Sequence, residues 1–339
     1  MVRLKDIAAR TGVSIMTVSK ALRDAADVSA ATKARIKAVA EQMGYVPDTS
    51  AQGLRTRSTK LFGLIVPTTT NPLFARLVLA IEARTQELGY DLLCAHTLNL
   101  IQREEYAIQR MVARRVEGLF IYPVHRLQPE ARVYRELAER KLPVVLLGHA
   151  APFCSQFPSV APDDLAGSFD ATQHLLELGH KRIAFLAGPI AAPWAHERLE
   201  GYRRALREAN LEPEDRLLFQ AGSTVEEGAK AAAQILSEAR GYTAIQASND
   251  LAAIGCASKL LDQGLRIPQD VSIVGFGNVL TAEFFRVPLT TMRQPKHRLG
   301  HAAMDLMSKL LRGQRAESRR LPATLCIRAS TAPPHTPAA

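Results

Sequence analysis

Cysteine is scarce in this 339-residue chain: Cys94, Cys154, Cys256 and Cys326 are the four present, and no two form a C-x-x-C pair. Such scattering excludes a disulfide framework or a cysteine-based zinc cluster and leaves reduced core thiols as the expectation. Long apolar runs are also missing. Leu61 to Pro67, Gly118 to Val124 and Leu142 to Leu147 fall far short of the roughly 20 residues that a transmembrane helix needs. The first residues, Met-Val-Arg-Leu-Lys-Asp, carry no apolar stretch behind their charges, so no signal peptide is expected. The expectation is a cytoplasmic protein without membrane contact.

Enzyme signatures are absent too. The sequence contains no G-x-S-x-G, no G-x-x-x-x-G-K-[ST] and no H-E-x-x-H, and Gly275-x-Gly277 lacks the third glycine of a dinucleotide fingerprint. His297 and His301 stand four apart with no third ligand in reach of their spacing, which reads as a solvated pair. No catalytic residue, metal or cofactor is therefore expected.

What the chain does have is basic charge, unevenly placed. Its 43 Lys+Arg exceed its 33 Asp+Glu by ten. Residues 1–60 hold eleven basic and five acidic side chains, and so carry six of those ten charges in under a fifth of the length. That asymmetry suits a small polyanion-binding module on a near-neutral body. The length itself predicts two or three domains with a well-buried core.

Residues 4–45 read as three short helices. Leu4, Ile7, Ala8 and Thr11 recur at helical spacing before Gly12; Ser14 can cap a second helix facing inward with Val18, Ala21 and Leu22; Ser29 can cap a third carrying Ile36, Val39, Ala40 and Met43. A helix, a tight turn and a second helix within twenty residues match a helix-turn-helix, whose second helix enters the major groove. Its outward positions are Ile15, Met16 and Lys20. Lys20 can donate to guanine, whereas Ile15 and Met16 offer only apolar contact, for instance to a thymine methyl. Thr17, Ser19 and Arg23 suit phosphates, as does Ser14 at the helix start. Taken alone, an Ile15–Met16 pair also fits a helical bundle made for protein contacts.

From Leu61 the pattern changes to short apolar strands alternating with amphipathic helices. Eight strands are expected: Leu61–Pro67, Tyr90–Ala95, Gly118–Tyr122, Val144–Leu147, Arg182–Ala187, Leu217–Gln220, Ala244–Ala247 and Val271–Phe276. Strands separated by helices mean βαβ units and parallel sheets. Eight of them suit two doubly wound halves, with a ligand cleft at the carboxyl ends of the strands.

The chain resembles the lactose repressor family of bacterial transcription factors along most of its length. The resemblance rests on Leu4-Lys5-Asp6-Ile7-Ala8, Thr11-Gly12-Val13-Ser14, Thr17-Val18-Ser19, Gly44-Tyr45-Val46-Pro47 and Ala51-x-x-Leu54 in the basic segment. In the body it rests on Asn71-Pro72 with Phe74, Leu178-Gly179-His180, Arg198-x-x-Gly201, Asn249-Asp250 and Ile267 to Phe276. It implies an all-α helix-turn-helix N-terminal domain at 1–46, a hinge with a short helix at 47–60, and an α/β periplasmic-binding-protein-like body at 61–339 made of two doubly wound lobes. One lobe would span about 61–160 and 291–322, the other about 161–290 and 323–332. The implied activity is that of a transcriptional regulator, expected to be a repressor, acting as a homodimer on a pseudo-palindromic double-stranded DNA operator. Ala51, Gln52 and Leu54 then fall on the hinge helix, with Leu54 as the minor-groove wedge. The tail after Ser330 lacks a leucine heptad, so no tetramerisation helix is expected.

The same resemblance places a small, carbohydrate-type effector between the lobes, contacted by Asn71, Phe74, Trp194, Arg198, Asn249 and Asp250. Trp194 fits either a ring against the ligand or core packing, and Asp250 either a polar wall or a helix cap. Two departures stand out: Gly277 replaces an aspartate found in many members, and His149 stands where an acid is common. A cleft with fewer carboxylates beside Arg198 is expected to favour a sugar acid or sugar phosphate. The competing reading is a sugar-binding or sugar-processing protein with an incidental N-terminal bundle.

Overall fold

The structure is a computed structural model that describes residues 2–46 and 58–335. It divides into two compact units, the first ending at Thr59 and the second beginning at Lys60.

The first unit holds α1 (Leu4–Thr11), α2 (Ile15–Ala21) and α3 (Ala30–Gln42). Ser14 Oγ accepts the Thr17 amide at 3.0 Å and Ser29 Oγ the Thr32 amide at 3.3 Å, so both expected serine caps are present. Gly12, at φ +69°, supplies the left-handed turn between α1 and α2. Ile7, Val18, Ala21 and Ile36 close the small core without solvent exposure. The hinge residues Ala51, Gln52, Gly53 and Leu54 lie outside the described residues.

The second unit contains two six-stranded sheets. The first comprises β1 (Leu61–Val66), β2 (Asp91–His96), β3 (Gly118–Ile121), β4 (Val144–Leu147), β5 (Ser159–Pro162) and β11 (Arg319–Leu321), in the order β11-β5-β4-β3-β1-β2. The second comprises β6 (Ile183–Ala187), β7 (Leu218–Gln220), β8 (Ala244–Ala247), β9 (Ser272–Gly277), β10 (Thr290–Arg293) and β12 (Thr324–Cys326), in the order β12-β10-β9-β8-β6-β7. All strand pairs are parallel except β10 with β12. Each sheet thus repeats one doubly wound order, and the ends of its strands are the natural place for a ligand.

The helices that position the cleft are α4 (Pro72–Glu87), α5 (Ile101–Ala113) and α6 (Arg132–Glu139) in the first lobe; α7 (Asp164–Glu177), α8 (Pro193–Glu208), α9 (Val225–Glu238), α10 (Asp250–Asp262) and the single turn α11 (Leu280–Glu283) in the second; and α12 (Lys296–Leu311). Helix α12 packs its Leu299, Ala303 and Met307 under the first sheet. The chain therefore crosses between lobes after β5, after β10 and between β11 and β12. Because β10 keeps residues 290–293 in the second sheet, the return to the first lobe comes after Arg293, beyond the expected 291, and the first crossing follows Pro162 rather than 160.

The eight expected strands are present with ends shifted by one residue at most. Four more escaped notice: β5 lies between Pro158 and Pro162, β10 is half threonine, and β11 and β12 are three residues long, stabilised by pairing rather than by any local pattern. Only two of the four free cysteines are core thiols: Cys154 and Cys256 are buried, whereas Cys94 is exposed on the edge strand β2 and Cys326 is half-buried.

Candidate DNA-reading face and effector cleft

On the first unit, the α2 residues meant to read DNA lie outward. Ile15 is 52% and Met16 65% exposed. Val18 and Ala21 use the opposite side for the core, so these two apolar side chains contribute nothing to packing the bundle. Lys20 is already committed in an exposed ion pair with Asp27. A surface pair of this kind is weak enough for a base edge to compete. Arg23 folds back onto Ser19, its Nε donating to the carbonyl at 2.8 Å, and Ser14 and Thr17 hydroxyls bond each other at 2.9 Å.

In the second unit a cleft of about 580 Å³ opens between the two sheets, at the carboxyl ends of their strands. All six expected effector residues line it. Asn71 caps α4, its Oδ1 accepting the Leu73 amide at 3.0 Å, which leaves its Nδ2 without a partner among the described residues. Phe74, one turn on, meets the Tyr122 ring edge-on at 4.8 Å. Pro193 opens α8, placing Trp194 and Arg198 four residues apart on one face, with the guanidinium 4.7 Å from the indole. Arg198 also lies flat on Phe276, at 3.7 Å.

Two of the six have less to offer than the sequence suggested. Asn249 is the cap of α10, accepting the Ala252 amide at 2.9 Å and donating to the Gly222 carbonyl at 3.1 Å. Asp250, in the first turn rather than at the cap, is buried and holds Thr291 Oγ1 at 2.5 Å and the Val279 amide at 2.8 Å. Its carboxylate secures β9 and β10. Burial raises its pKa above the usual carboxylate range against those bonds and against Lys296 and Arg198.

The largest correction concerns charge. Asp164, at the start of α7, is buried against Arg198, its Oδ1 accepting from Nε at 2.8 Å and Nη2 at 2.6 Å, while Arg198 Nη1 donates to the Ser248 carbonyl. Glu227 lines the cleft as well. The cleft keeps its carboxylates, and the premise for an anionic effector is lost. Asp164 was hidden because β5, which delivers it, was not recognised; the Asp163-Asp164 pair after an apolar tetrapeptide was the available signal.

Other lining residues also went unnoticed. Tyr122 directly follows β3, Gln294 directly follows β10, and His125 follows Val124, whose amide donates to buried Glu104 at 2.6 Å. Neither nitrogen of His125 has a partner among the described residues, and burial, with His149 and Arg126 adding repulsion, lowers its pKa to about 4. His149, Asp164 and Glu197 form the one metal-like group among the described residues, with ligand atoms within 4.8 Å. Arg198 and Arg320 already balance its two carboxylates, so it is an ion-pair chain rather than a metal cage. His297 and His301 are exposed with ring centres 5.5 Å apart.

Comparison with known proteins agrees with both halves. Residues 3–48 match the bacterial regulatory proteins of the lacI family, and residues 172–331 match a periplasmic binding protein-like domain. The HTH-type transcriptional repressor CytR of Escherichia coli (strain K12) is 33% identical over 97% of this chain and 96% of its own length. The Lac repressor dimer bound to operator and the anti-inducer ONPF superposes with a TM-score of 0.86 at 28% identity, covering 98% of this chain and 99% of that one. The transcriptional regulator CelR in complex with cellobiose gives 0.74 at 29%, covering 97% and 100%.

A helix-turn-helix joined to a two-lobed α/β body with a central cleft defines an effector-responsive DNA-binding regulator. The chain belongs to the lacI family of bacterial regulatory proteins.

Proposed function

We propose that this protein is a cytoplasmic, non-enzymatic repressor that binds a pseudo-palindromic operator as a homodimer and is controlled by a neutral, hydroxyl-rich, sugar-like effector in the cleft. The observation that carries the effector class is the Arg198–Asp164 pair. A guanidinium whose donors are already taken by a buried carboxylate and a backbone carbonyl has little left to offer an anion. Around it, Phe74, Tyr122, Trp194 and Phe276 offer apolar surface, and Asn71, Asn99, Gln294 and Glu227 offer polar groups, the mixture suited to a sugar ring.

On the DNA side, Ile15, Met16 and Lys20 read bases, Ser14, Thr17, Ser19 and Arg23 hold phosphates, and Ala51, Gln52 and Leu54 act in the minor groove. Dimerisation is supported by Leu280, which opens α11, and Phe284, just past its end, 53% and 76% exposed, and by the dimeric Lac repressor relative. No helix among the described residues is long and apolar enough to cross a membrane.

Operator selection from random DNA tests the first half: a palindrome should emerge. Calorimetry comparing D-ribose and cellobiose with D-ribonate and ribose 5-phosphate tests the second. Tighter binding of either anion than of both neutral sugars would overturn the assignment of effector class.

A further inference from the structure

Five charged side chains form an alternating chain along one side of the cleft: Arg198, Asp164, His149, Glu197, Arg320. Asp164 Oδ2 faces His149 Nε2 at 2.5 Å, and Glu197 Oε1 lies 3.4 Å from Nδ1 of the same ring. Arg320 closes the chain, its Nη2 donating to Glu197 Oε1 at 2.8 Å. The lobes alternate as well. His149 follows β4 and Arg320 lies on β11, both of the first sheet, whereas Asp164, Glu197 and Arg198 stand on α7 and α8 of the second lobe. Gly148, at φ +100° with the Tyr122 ring packed 3.0 Å from where a Cβ would sit, makes the turn that delivers His149 into this position.

We infer that His149 is a positioning residue of the cleft: as an imidazolium it ties one lobe to the other and holds Asp164 on Arg198, so that the setting of the effector site depends on its protonation. This rests on the reading of the cleft as the effector site. The protonation state follows from geometry. Both ring nitrogens face carboxylates, and a neutral imidazole has only one N–H to offer. The groups around the ring are Asp164 on α7, Glu197 and Arg198 on α8, Arg320 on β11, and His125 and Tyr122 at the end of β3. Burial opposes the charge, but the Asp164 carboxylate bonded to Nε2 and the Glu197 carboxylate facing Nδ1 at ion-pair distance, outside hydrogen-bonding geometry, outweigh it and leave the pKa above the ordinary histidine value, while Glu197 is held down at about 2 by His149 and Arg320 against its own burial.

A group whose folded pKa is raised holds its tie below that pKa and loses it as the pH climbs through it. The proton leaves Nδ1 for solvent, because Nε2 makes the shorter contact. Glu197 is then released from His149 while Asp164 is not. The tie across the lobes weakens first, and the setting of Arg198 follows.

Nitrogen-15 spectra of the imidazoles in the full-length protein test this directly. One ring should lose its second proton only above the ordinary histidine value of about 6.5, vanish from the spectrum in His149→Gln, and titrate lower in Glu197→Gln. Emission from Trp194, the single tryptophan, should follow that titration in the wild type and lose this component in His149→Gln. Lys296, whose pKa burial lowers to about 8, bonds the Asn278 carbonyl near the cleft and would account for what remains. A His149 ring that titrates at or below the ordinary histidine value, or a Trp194 profile unchanged by His149→Gln, would overturn the inference. Should His149→Gln not fold, Glu197→Gln decides: an unshifted midpoint overturns it. Calorimetry with D-ribose and cellobiose at about pH 6.5 and 8.5 adds the functional arm, with several-fold weaker binding expected at the higher pH for whichever sugar binds, and unchanged affinity counting against the coupling. If neither sugar binds while His149 titrates as described, the reading of the cleft fails and the tie between the lobes stands.

Discussion

Asp164 and Arg198 meet at 2.6 and 2.8 Å with both side chains buried, although 34 residues separate them in sequence. Their pairing decides what the cleft can recognise. Arg198 has Phe276 beneath it, Asp164 at one edge and the Ser248 carbonyl at another, so it serves as a fixed platform with its donors engaged rather than an open anion receptor.

Removing both partners of that pair should cost far less than the two single removals added together. Asp164→Ala strands a buried guanidinium and should lower stability by about 3–5 kcal/mol. In the double variant Asp164→Ala/Arg198→Ala the cost should fall well short of the sum of the two single losses. Urea unfolding of the four proteins completes the cycle, and additive losses would mean that the pair carries no coupling.

His125 presents the opposite case, a half-buried ring whose two buried nitrogens have no partner among the described residues. Leaving such groups without partners costs roughly 1–3 kcal/mol, so His125→Phe should hold or raise the melting temperature at neutral pH. Its acid behaviour gives a second check. The ring's pKa is near 4 when folded and about 6.5 when unfolded, so the unfolded chain binds more protons between those values and the wild type loses stability as the pH falls from 6.5 to 4, by about 3 kcal/mol at most. The variant should lack that loss, as thermal unfolding across the same pH range would show.

Much of this was legible because it is local. Serine followed by a helical run marks the caps of α2 and α3, and the unbroken apolar tetrapeptides of β3 and β4 read as strands buried on both faces. Trp194 and Arg198 were identified through resemblance, but their partners were not, because Asp164, Phe276 and His149 come from three other elements brought together only by the doubly wound topology. A charge count along the chain cannot see a pairing of that kind. The departures at Gly277 and His149 suggested a cleft poor in acids, where the fold supplies Asp164 and Glu227.

The cap at Ser14 gives a test on the DNA side that involves no base contact. Its hydroxyl satisfies the Thr17 amide, and Ser14→Ala should lower the stability of the first unit by about 1 kcal/mol. Because α2 is then less well formed, operator affinity should drop while the preferred sequence stays the same. A changed base preference in operator selection would show that Ser14 reads sequence itself.

Lys20 and Arg23 should separate reading from holding. Lys20 lies on the outward side of α2 and is restrained only by its exposed pair with Asp27, so Lys20→Ala should relax preference at one base pair by about 5- to 150-fold and leave the other positions alone. Arg23, just past the end of the same helix and anchored through Nε to the Ser19 carbonyl, is the proposed phosphate contact. Arg23→Ala should weaken all sequences alike and reduce the salt dependence of binding by about one counterion. Competition binding at several salt concentrations with single-base operator variants distinguishes the two, and a uniform loss for Lys20→Ala would remove it from the base-reading set and leave Ile15 and Met16 to specify the operator.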